Sequence, residues 1–423
     1  MISKVLGKQT PKEAYVWIWL PGQAQPVVAG RLSATDRGYQ FNYGRSYLAR
    51  EDAIALYLPE LPLKPGLLPL LPGLFLPGCL RDASPDAWGR RVIINRLMGR
   101  GRDADTADLD ELTYMLTSGS DRAGAVDFQQ SSEEYIPRVA EQASLEQLLE
   151  AAEIVEKGNP LPPGLEQALL HGTSLGGARP KALIEDQGRK YVAKFSGSTD
   201  LYSVLKAEFL AMRLAALLGL DAAPVNLVRA AGKDVLLVER FDRKKTDAGW
   251  QKKCMVSALT MLELDEMMAR YASYEHLAEI VRHRFAQPKA ALRELFSRLV
   301  FNVLCGNTDD HARNHAAFWD GRQLRLTPAY DICPQMRTGS EASQAMLIHG
   351  DNRASRIDVC VAAAGQFLLS ETDARALIEH QIEGIHRHWD TVCDEAQLPM
   401  QDRSFLWTRQ FLNPYALRFF EEI

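Results

Sequence analysis

The chain has 423 residues, 46% apolar and 24% charged, enough for two or three domains with ordinary globular cores. Its 49 Lys and Arg against 54 Asp and Glu give a net charge of −5, so no global basic field recruits nucleic acid. Six scattered cysteines (79, 254, 305, 333, 360, 393) form no Cys-x-x-Cys pair, which argues against a disulfide framework or a cysteine-rich zinc site and for reduced thiols in a cytoplasm.

The first twelve residues are polar and lightly basic, without the apolar core of a secretory signal. Tyr15–Leu20, Val27–Gly30 and Tyr39–Tyr43 predict short strands separated by turn residues such as Pro21-Gly22. The most apolar window, Leu58–Leu80, contains Pro59, Pro62, Pro65, Pro69, Pro72 and Pro77. That many prolines rule out a membrane helix and predict an ordered, extended loop. Ser84-Pro85 then predicts a helix start, with Ser84 as cap and Pro85 in the first turn. Residues 86–118 read as helical apart from a Gly/Asp-rich break at 99–107, and the polar stretch 129–145 reads as a boundary.

A helix from about 144 to 157 leads into a region, 165–240, where strands alternate with one helix. That helix runs from about Ser203 to Leu218, is ended by Gly219, and cannot continue past Pro224. Beyond 250 the pattern is mostly helical. Leu292, Leu295, Phe296, Leu299, Val300, Val303 and Leu304 recur at helical spacing and run straight into Asn307.

The segment that follows, Asn307-Thr308-Asp309-Asp310-His311-Ala312-Arg313-Asn314, carries chemistry. Asp309 and Asn314 stand at the spacing of the Asp and Asn in a kinase catalytic loop, His-Arg-Asp-x-x-x-x-Asn. Asp331, closing Leu324–Asp331, sits where a kinase places its second metal-holding Asp. Phosphoryl transfer needs one carboxylate to take the hydroxyl proton, plus an amide oxygen and a second carboxylate to hold Mg²⁺.

Upstream, Ser174-Leu175-Gly176-Gly177-Ala178-Arg179-Pro180-Lys181 would let backbone N–H groups approach phosphates. Lys194, in the strand-like Tyr191–Phe195, is a candidate phosphate ligand, and Glu208 its supporting helix carboxylate. Glu208 is placed by the sequence in a first helical turn, where the dipole alone would favour it. Val235–Arg243 suits a hinge strand, while Arg240, Arg243, Lys244 and Lys245 read as a solvated basic turn. Two other readings of these residues stay open. Asp309, Asp310, His311 and His315 could instead form the site of a metal-dependent hydrolase, and the same Asp, Asn and Asp could serve a small-molecule phosphotransferase. A third reading is a catalytically silent co-repressor that reaches DNA through a partner.

The joint order of these features resembles the HipA family of bacterial toxin kinases. The resemblance runs from about 84 to 335, on Ser84–Arg91, Gly119–Val126, Ser174–Lys181, Lys194, Leu237–Arg243, Gly306–Asn314 and Leu326–Asp331. It implies an α+β, atypical bilobal kinase-like fold. Residues 1–135 would form a β-rich N-terminal accessory subdomain, 136–245 a small lobe, and 246–423 a helical C-terminal lobe. It also implies a serine/threonine protein kinase using ATP and Mg²⁺. By matching positions, Asp309 is the base, Asn314 and Asp331 hold Mg²⁺, and Lys194 contacts the phosphates. Gly176, Gly177, Ala178, Arg179, Pro180 and Lys181 line the phosphates. Glu239, Arg240 and Phe241 form the hinge, and His311 and Tyr330 lie beside the nucleotide. Ser174 takes the position of an inhibitory autophosphorylation site, since phosphate there would repel ATP's own. Family members pair with a small DNA-binding antitoxin, and their best-known substrate class is an aminoacyl-tRNA synthetase.

Overall fold

Alternation of apolar residues sets the N-terminal strands. In the computed structural model, Glu13–Ile18 (β1), Val27–Thr35 (β2), Gly38–Tyr43 (β3) and Val126–Gln129 (β4) make an antiparallel sheet of order β3-β2-β1-β4. Val16, Ile18, Leu32 and Phe41 lie in its core. The structure describes residues 10–98, 109–139, 143–162, 164–165, 169, 177–198, 200, 202–337 and 339–420. The chain divides into two compact units. One comprises Met1–Thr199, Val228–Val256 and Trp319–Gly321; the other comprises Asp200–Leu227, Ser257–Phe318 and Arg322–Ile423.

In the first unit the proline-rich stretch is ordered and non-helical until Gly78–Arg81. The buried Tyr43 hydroxyl holds it to the sheet, donating to the Leu61 carbonyl and accepting from the Leu56 N–H, both at 2.8 Å. The helix expected at Ser84 begins at Ala87 and runs to Met98. Ser84 does not cap it: its hydroxyl donates to Glu111 at 3.3 Å, and Arg90 N–H donates to the Asp86 carbonyl. The expected break at 99–107 lies outside the described residues.

Leu145–Glu156 is a helix with a capping box: Ser144 Oγ accepts from Gln147 N–H, and the Gln147 side chain accepts from Ser144 N–H. Its apolar face packs with Trp88 on the sheet formed by Lys181–Asp186 (β5), Arg189–Phe195 (β6), Val225–Ala230 (β7) and Lys233–Glu239 (β8), order β5-β6-β8-β7. Arg243–Thr246 (β9) and Gly249–Lys252 (β10) form a hairpin after it.

The second unit is built around the helix Pro288–Cys305, packed against Tyr274–Arg284 and Glu371–Glu395. Its seven residues picked out by spacing, from Leu292 to Leu304, are each fully buried. Gly306 ends the helix at φ +73°, and a Cβ there would lie 2.7 Å from the Gln410 carbonyl oxygen, so this turn needs glycine on two counts. The predicted helix at 203–218 is Val204–Leu217, closed by Gly219 at φ +84°. Met255–Ser257 (β11), Ala316–Trp319 (β12) and Leu324–Leu326 (β13) form a three-stranded sheet, and the candidate loop precedes β12. Among the described residues no helix is long and apolar enough to cross a membrane.

Candidate active site

The tight turn at Gly306 delivers a loop that is fixed from several directions. Buried Asn307 donates its Nδ2 to Asn302 Oδ1 at 2.9 Å, and its carbonyl accepts from Gln344 Nε2 at 3.1 Å. Gln335 N–H donates to the Gly306 carbonyl and Ala345 N–H to the Thr308 carbonyl. The segment after Asp331 therefore clasps the loop that precedes Asp309.

The two adjacent aspartates have opposite surroundings. Asp310 is 2% exposed, accepts a hydrogen bond from the Tyr274 hydroxyl, and lies 2.9 Å from His315 Nε2. The same histidine nitrogen is 3.1 Å from that hydroxyl. Burial, and then the Asp310 charge, hold the Tyr274 phenol well above its usual pKa, so it stays a donor. Asp310 is thus committed to holding the loop. His315 is packed inside the same cluster, with its Nδ1 buried and unpaired.

Asp309 is exposed. Its carboxyl pKa is nevertheless raised, first because protein atoms around the carboxyl strip water from it, and then by the like charges of Asp331 and Asp310, with His311 opposing. Asn314 donates its Nδ2 to the Asp309 carbonyl at 3.1 Å, which leaves Oδ1 as its acceptor. Tyr330 donates its hydroxyl to the Arg313 carbonyl at 2.8 Å, and Asp331 follows at φ +59°, a left-handed conformation that Asp tolerates better than most residues. An amide oxygen and mutually repelling carboxylates are hard oxygen donors whose repulsion a small cation would relieve, so the residues fit Mg²⁺. His311 N–H donates to the Asp309 carbonyl, and its Nδ1 is buried without a hydrogen-bond partner. Of the four residues in the hydrolase reading, Asp310 and His315 are taken up by each other and by Tyr274, and among the described residues no group of three His, Cys, Asp or Glu side chains converges on a metal position.

In the other unit, Gly177 adopts φ +105°, and a Cβ there would overlap Lys181 Nζ. Ser174 and Gly176 lie outside the described residues. Ala178 is exposed, Arg179 half-buried and Pro180 buried, and the Pro180 carbonyl accepts from Phe195 N–H. Lys181, expected along the phosphates, is only 3% exposed and its ammonium sits 4.0 Å from Asp86. Trp88 Nε1 donates to the Lys181 carbonyl at 3.0 Å. Lys194 is half-buried and is the strand partner of Lys181. In the second unit, Glu208 lies beyond the first turn of its helix and is 1% exposed, so the helix dipole does not account for it.

The basic turn is corrected more strongly. Arg240 and Arg243 are buried, not solvated, while Lys244 and Lys245 are exposed. Arg240 grips Asp242 through Nε and Nη2 at 2.9 and 2.8 Å and reaches Asp121 through Nη1 at 3.1 Å. Arg243 donates Nε to Asp121 and Nη1 to Asp242, each at 2.9 Å, and Lys190 pairs with Asp121 as well. Although burial pushes the other way, Arg240 and Arg243 hold the Asp242 carboxyl down at about 2 and, with Lys190, hold Asp121 well below its usual range. Arg240 N–H already donates to the Lys190 carbonyl, so neither its side chain nor its amide is a hinge donor. Residue spacing gave no sign of Tyr274, Asn302, Gln344 or Asp121 as partners.

Family comparison follows the same order along the chain. The family model for the HipA N-terminal domain matches residues 18–129, and that for the HipA-like C-terminal domain matches residues 173–389. The chain belongs to the HipA family. The solved structure of HipA from Shewanella oneidensis, in a complex with HipB and operator DNA, superposes with a TM-score of 0.69. That match covers 96% of this chain and 97% of that one at 19% identity, and it establishes an α+β HipA fold. Two relatives by sequence are Y4mE of Sinorhizobium fredii, which carries the name of a kinase, and the Shewanella oneidensis serine/threonine-protein kinase toxin HipA. Identity is 27% over 57% of this chain and 60% of Y4mE. It is 26% over 38% of this chain and 42% of the Shewanella protein. The chain spans about half the length of these relatives.

Proposed function

We propose that this HipA-family chain is a serine/threonine protein kinase that uses ATP and Mg²⁺. The observation that carries the reading is the division of labour between neighbours: Asp310 is locked to Tyr274 and His315, while Asp309 stays exposed beside Asn314 and Asp331. Asp309 accepts the proton of the incoming hydroxyl. Asn314 Oδ1 and the Asp331 carboxylate hold the metal. Bound Mg²⁺-ATP supplies the transferable phosphoryl group and the charge that neutralises its oxygens. Lys194, with Glu208 as its supporting carboxylate, would contact the phosphates, and residues Gly176 to Lys181 would line them. Glu239, Phe241 and the Arg240 carbonyl would hold the adenine as a hinge, and His311 and Tyr330 would contact the nucleotide. Residues 1–135, 136–245 and 246–423 act as accessory subdomain, small lobe and C-terminal lobe of a cytoplasmic enzyme.

The partner is a small DNA-binding antitoxin, a reading supported by the HipB and operator DNA bound to the Shewanella HipA structure. The acceptor is a protein hydroxyl, and an aminoacyl-tRNA synthetase is the substrate class the family resemblance favours. Ser174 is the inhibitory autophosphorylation site. After incubation with Mg²⁺-ATP, peptide mass spectrometry is expected to find phosphate on Ser174, and Ser174→Ala is expected to stay active longer. Phosphate confined to other residues would remove Ser174 from this role.

The raised pKa of Asp309 also sets a pH dependence. A general base works only when ionised, so transfer falls as pH drops through the raised folded value. The acid limb of kcat/KM is expected above the ordinary carboxylate value of 3.8. His311 opposes the upward shift, so His311→Ala should move the limb to higher pH. A limb that ignores this substitution would mean another group titrates. For stability the sign is the reverse of the usual carboxylate case: the folded state binds this proton more tightly, so the contribution of Asp309 to stability declines as pH rises through its raised value.

A further inference from the structure

Helix Pro288–Cys305 buries a charge among apolar residues. Arg298 is 2% exposed, and its neighbours Leu295, Phe296 and Leu299 are core residues. Glu294, one turn earlier, accepts from Arg298 Nε at 2.8 Å and supplies the counter-charge. A buried pair of this kind is weak evidence for stability, since apolar side chains of similar volume often serve as well. What the guanidinium adds is direction. Its Nη2 donates to the Thr327 carbonyl at 2.9 Å and to the Asp221 carbonyl at 3.2 Å, and Glu294 accepts from Asp221 N–H at 3.2 Å.

The segment that these bonds brace is the one that ends at Asp331. Thr327 is fully buried, and its N–H donates to the Ala316 carbonyl. Ala329 N–H donates to the Asp221 carbonyl at 2.7 Å, and the Ala329 carbonyl accepts from Ala223 N–H at 2.9 Å, so residues 221–223 and 327–329 run side by side in a short parallel pairing. Tyr330 is fastened to the Arg313 carbonyl, and Asp331 follows at φ +59°. A residue in that left-handed region stays there only when its surroundings over-determine it. Asp221 itself lies just beyond the helix that carries Glu208. All of these residues belong to one compact unit. Arg298, about two turns before Gly306, thus ties together the helix that delivers Asp309, the segment that delivers Asp331, and the exit of the Glu208 helix.

We infer that Arg298 is a positioning residue for the metal site: it fixes the 327–331 segment against the catalytic loop, and with it the placing of the Asp331 carboxylate relative to Asn314 Oδ1. This rests on the kinase reading. Arg298 acts through the backbone of Thr327 and Asp221, not by touching the metal. Two carbonyls and a carboxylate call for several donors in a fixed fork, which a guanidinium presents and an ammonium does not. Glu294 serves the same end by neutralising the guanidinium where the two carbonyls meet.

The full chain is titrated with Mn²⁺, a paramagnetic substitute for Mg²⁺, in the presence of a non-hydrolysable ATP analogue, and free Mn²⁺ is read by electron paramagnetic resonance. Asp331→Asn sets the background from metal held by the analogue. Arg298→Met is expected to raise the Mn²⁺ dissociation constant roughly tenfold, the scale seen when a partner that orients a metal ligand is lost. Arg298→Met leaves Glu294 without its buried partner, so a paired variant is measured beside it. Glu294→Leu with Arg298→Leu leaves no charge behind and should fold and show the same weakening. Gln381→Leu removes another buried side-chain bond to this helix, from Nε2 to the Ser297 carbonyl at 2.9 Å, and should leave Mn²⁺ binding unchanged. Wild-type Mn²⁺ affinity in both Arg298 variants overturns the assignment. Equal weakening by Gln381→Leu overturns it too, because it would mark a general loosening of the helix. Should the wild type bind Mn²⁺ no better than Asp331→Asn, the metal site and the kinase reading fall first, and this role with them.

Discussion

Asp309→Asn is expected to lower phosphate transfer by roughly 10²–10⁴-fold, the usual worth of a positioned general base. The amide keeps the shape of the carboxylate but cannot take the hydroxyl proton. ATP binding should change little, since the phosphate and metal ligands are other residues. Asp310→Asn should behave differently. Asp310 is sealed with Tyr274 and His315, so its loss leaves a buried donor poorly matched and shows as a lower melting temperature. Thermal melts beside transfer rates separate the two. A melt for Asp310→Asn matching the wild type, with transfer lost, would reassign the base to Asp310.

The largest effect on stability is expected at Asp121→Ala. This carboxylate is shared by buried Arg240 and Arg243 and by partly exposed Lys190, so removing it leaves Asp242 alone to balance two buried guanidiniums. Breaking a buried ion pair from one side costs about 3–5 kcal/mol. Urea unfolding should show that loss, and a change within about 0.5 kcal/mol, ordinary for a surface site, would contradict the network described here. The pH dependence has a fixed sign. The folded pKa of Asp121 is depressed, so its stabilisation is complete above the unfolded value and disappears as pH falls below it toward the lower folded value. A protein lacking this carboxylate should lose less stability under acid than the wild type.

The two predictions also mark where sequence reading succeeds and fails. Helix Pro288–Cys305 was legible because its apolar period and the closing Gly306 are local signals, and they locate the loop that begins at Asn307. The spacing of Asp309 and Asn314 was equally local. The same spacing and the family resemblance point to Asp309 rather than Asp310; the sealing of Asp310 was not legible, because its partner Tyr274 is 36 residues away. Arg240 and Arg243 read as a solvated turn because one of their two acids, Asp121, is 119 and 122 residues distant, and the burial of the other, neighbouring Asp242, leaves no mark in the sequence. Charge alone cannot reveal such a partner. Lys181 was assigned to the phosphates by position, while its burial beside Asp86 depends on a helix start far upstream.

Transfer of the γ-phosphate from labelled ATP tests the central claim most directly, run for the wild type with Mg²⁺, for the wild type with the metal chelated, and for Asp309→Asn with Mg²⁺. Label on protein Ser or Thr is expected in the first reaction and background in the other two. Label retained by Asp309→Asn, or none from the wild type with Mg²⁺, would contradict the assignment of this loop as a kinase active site.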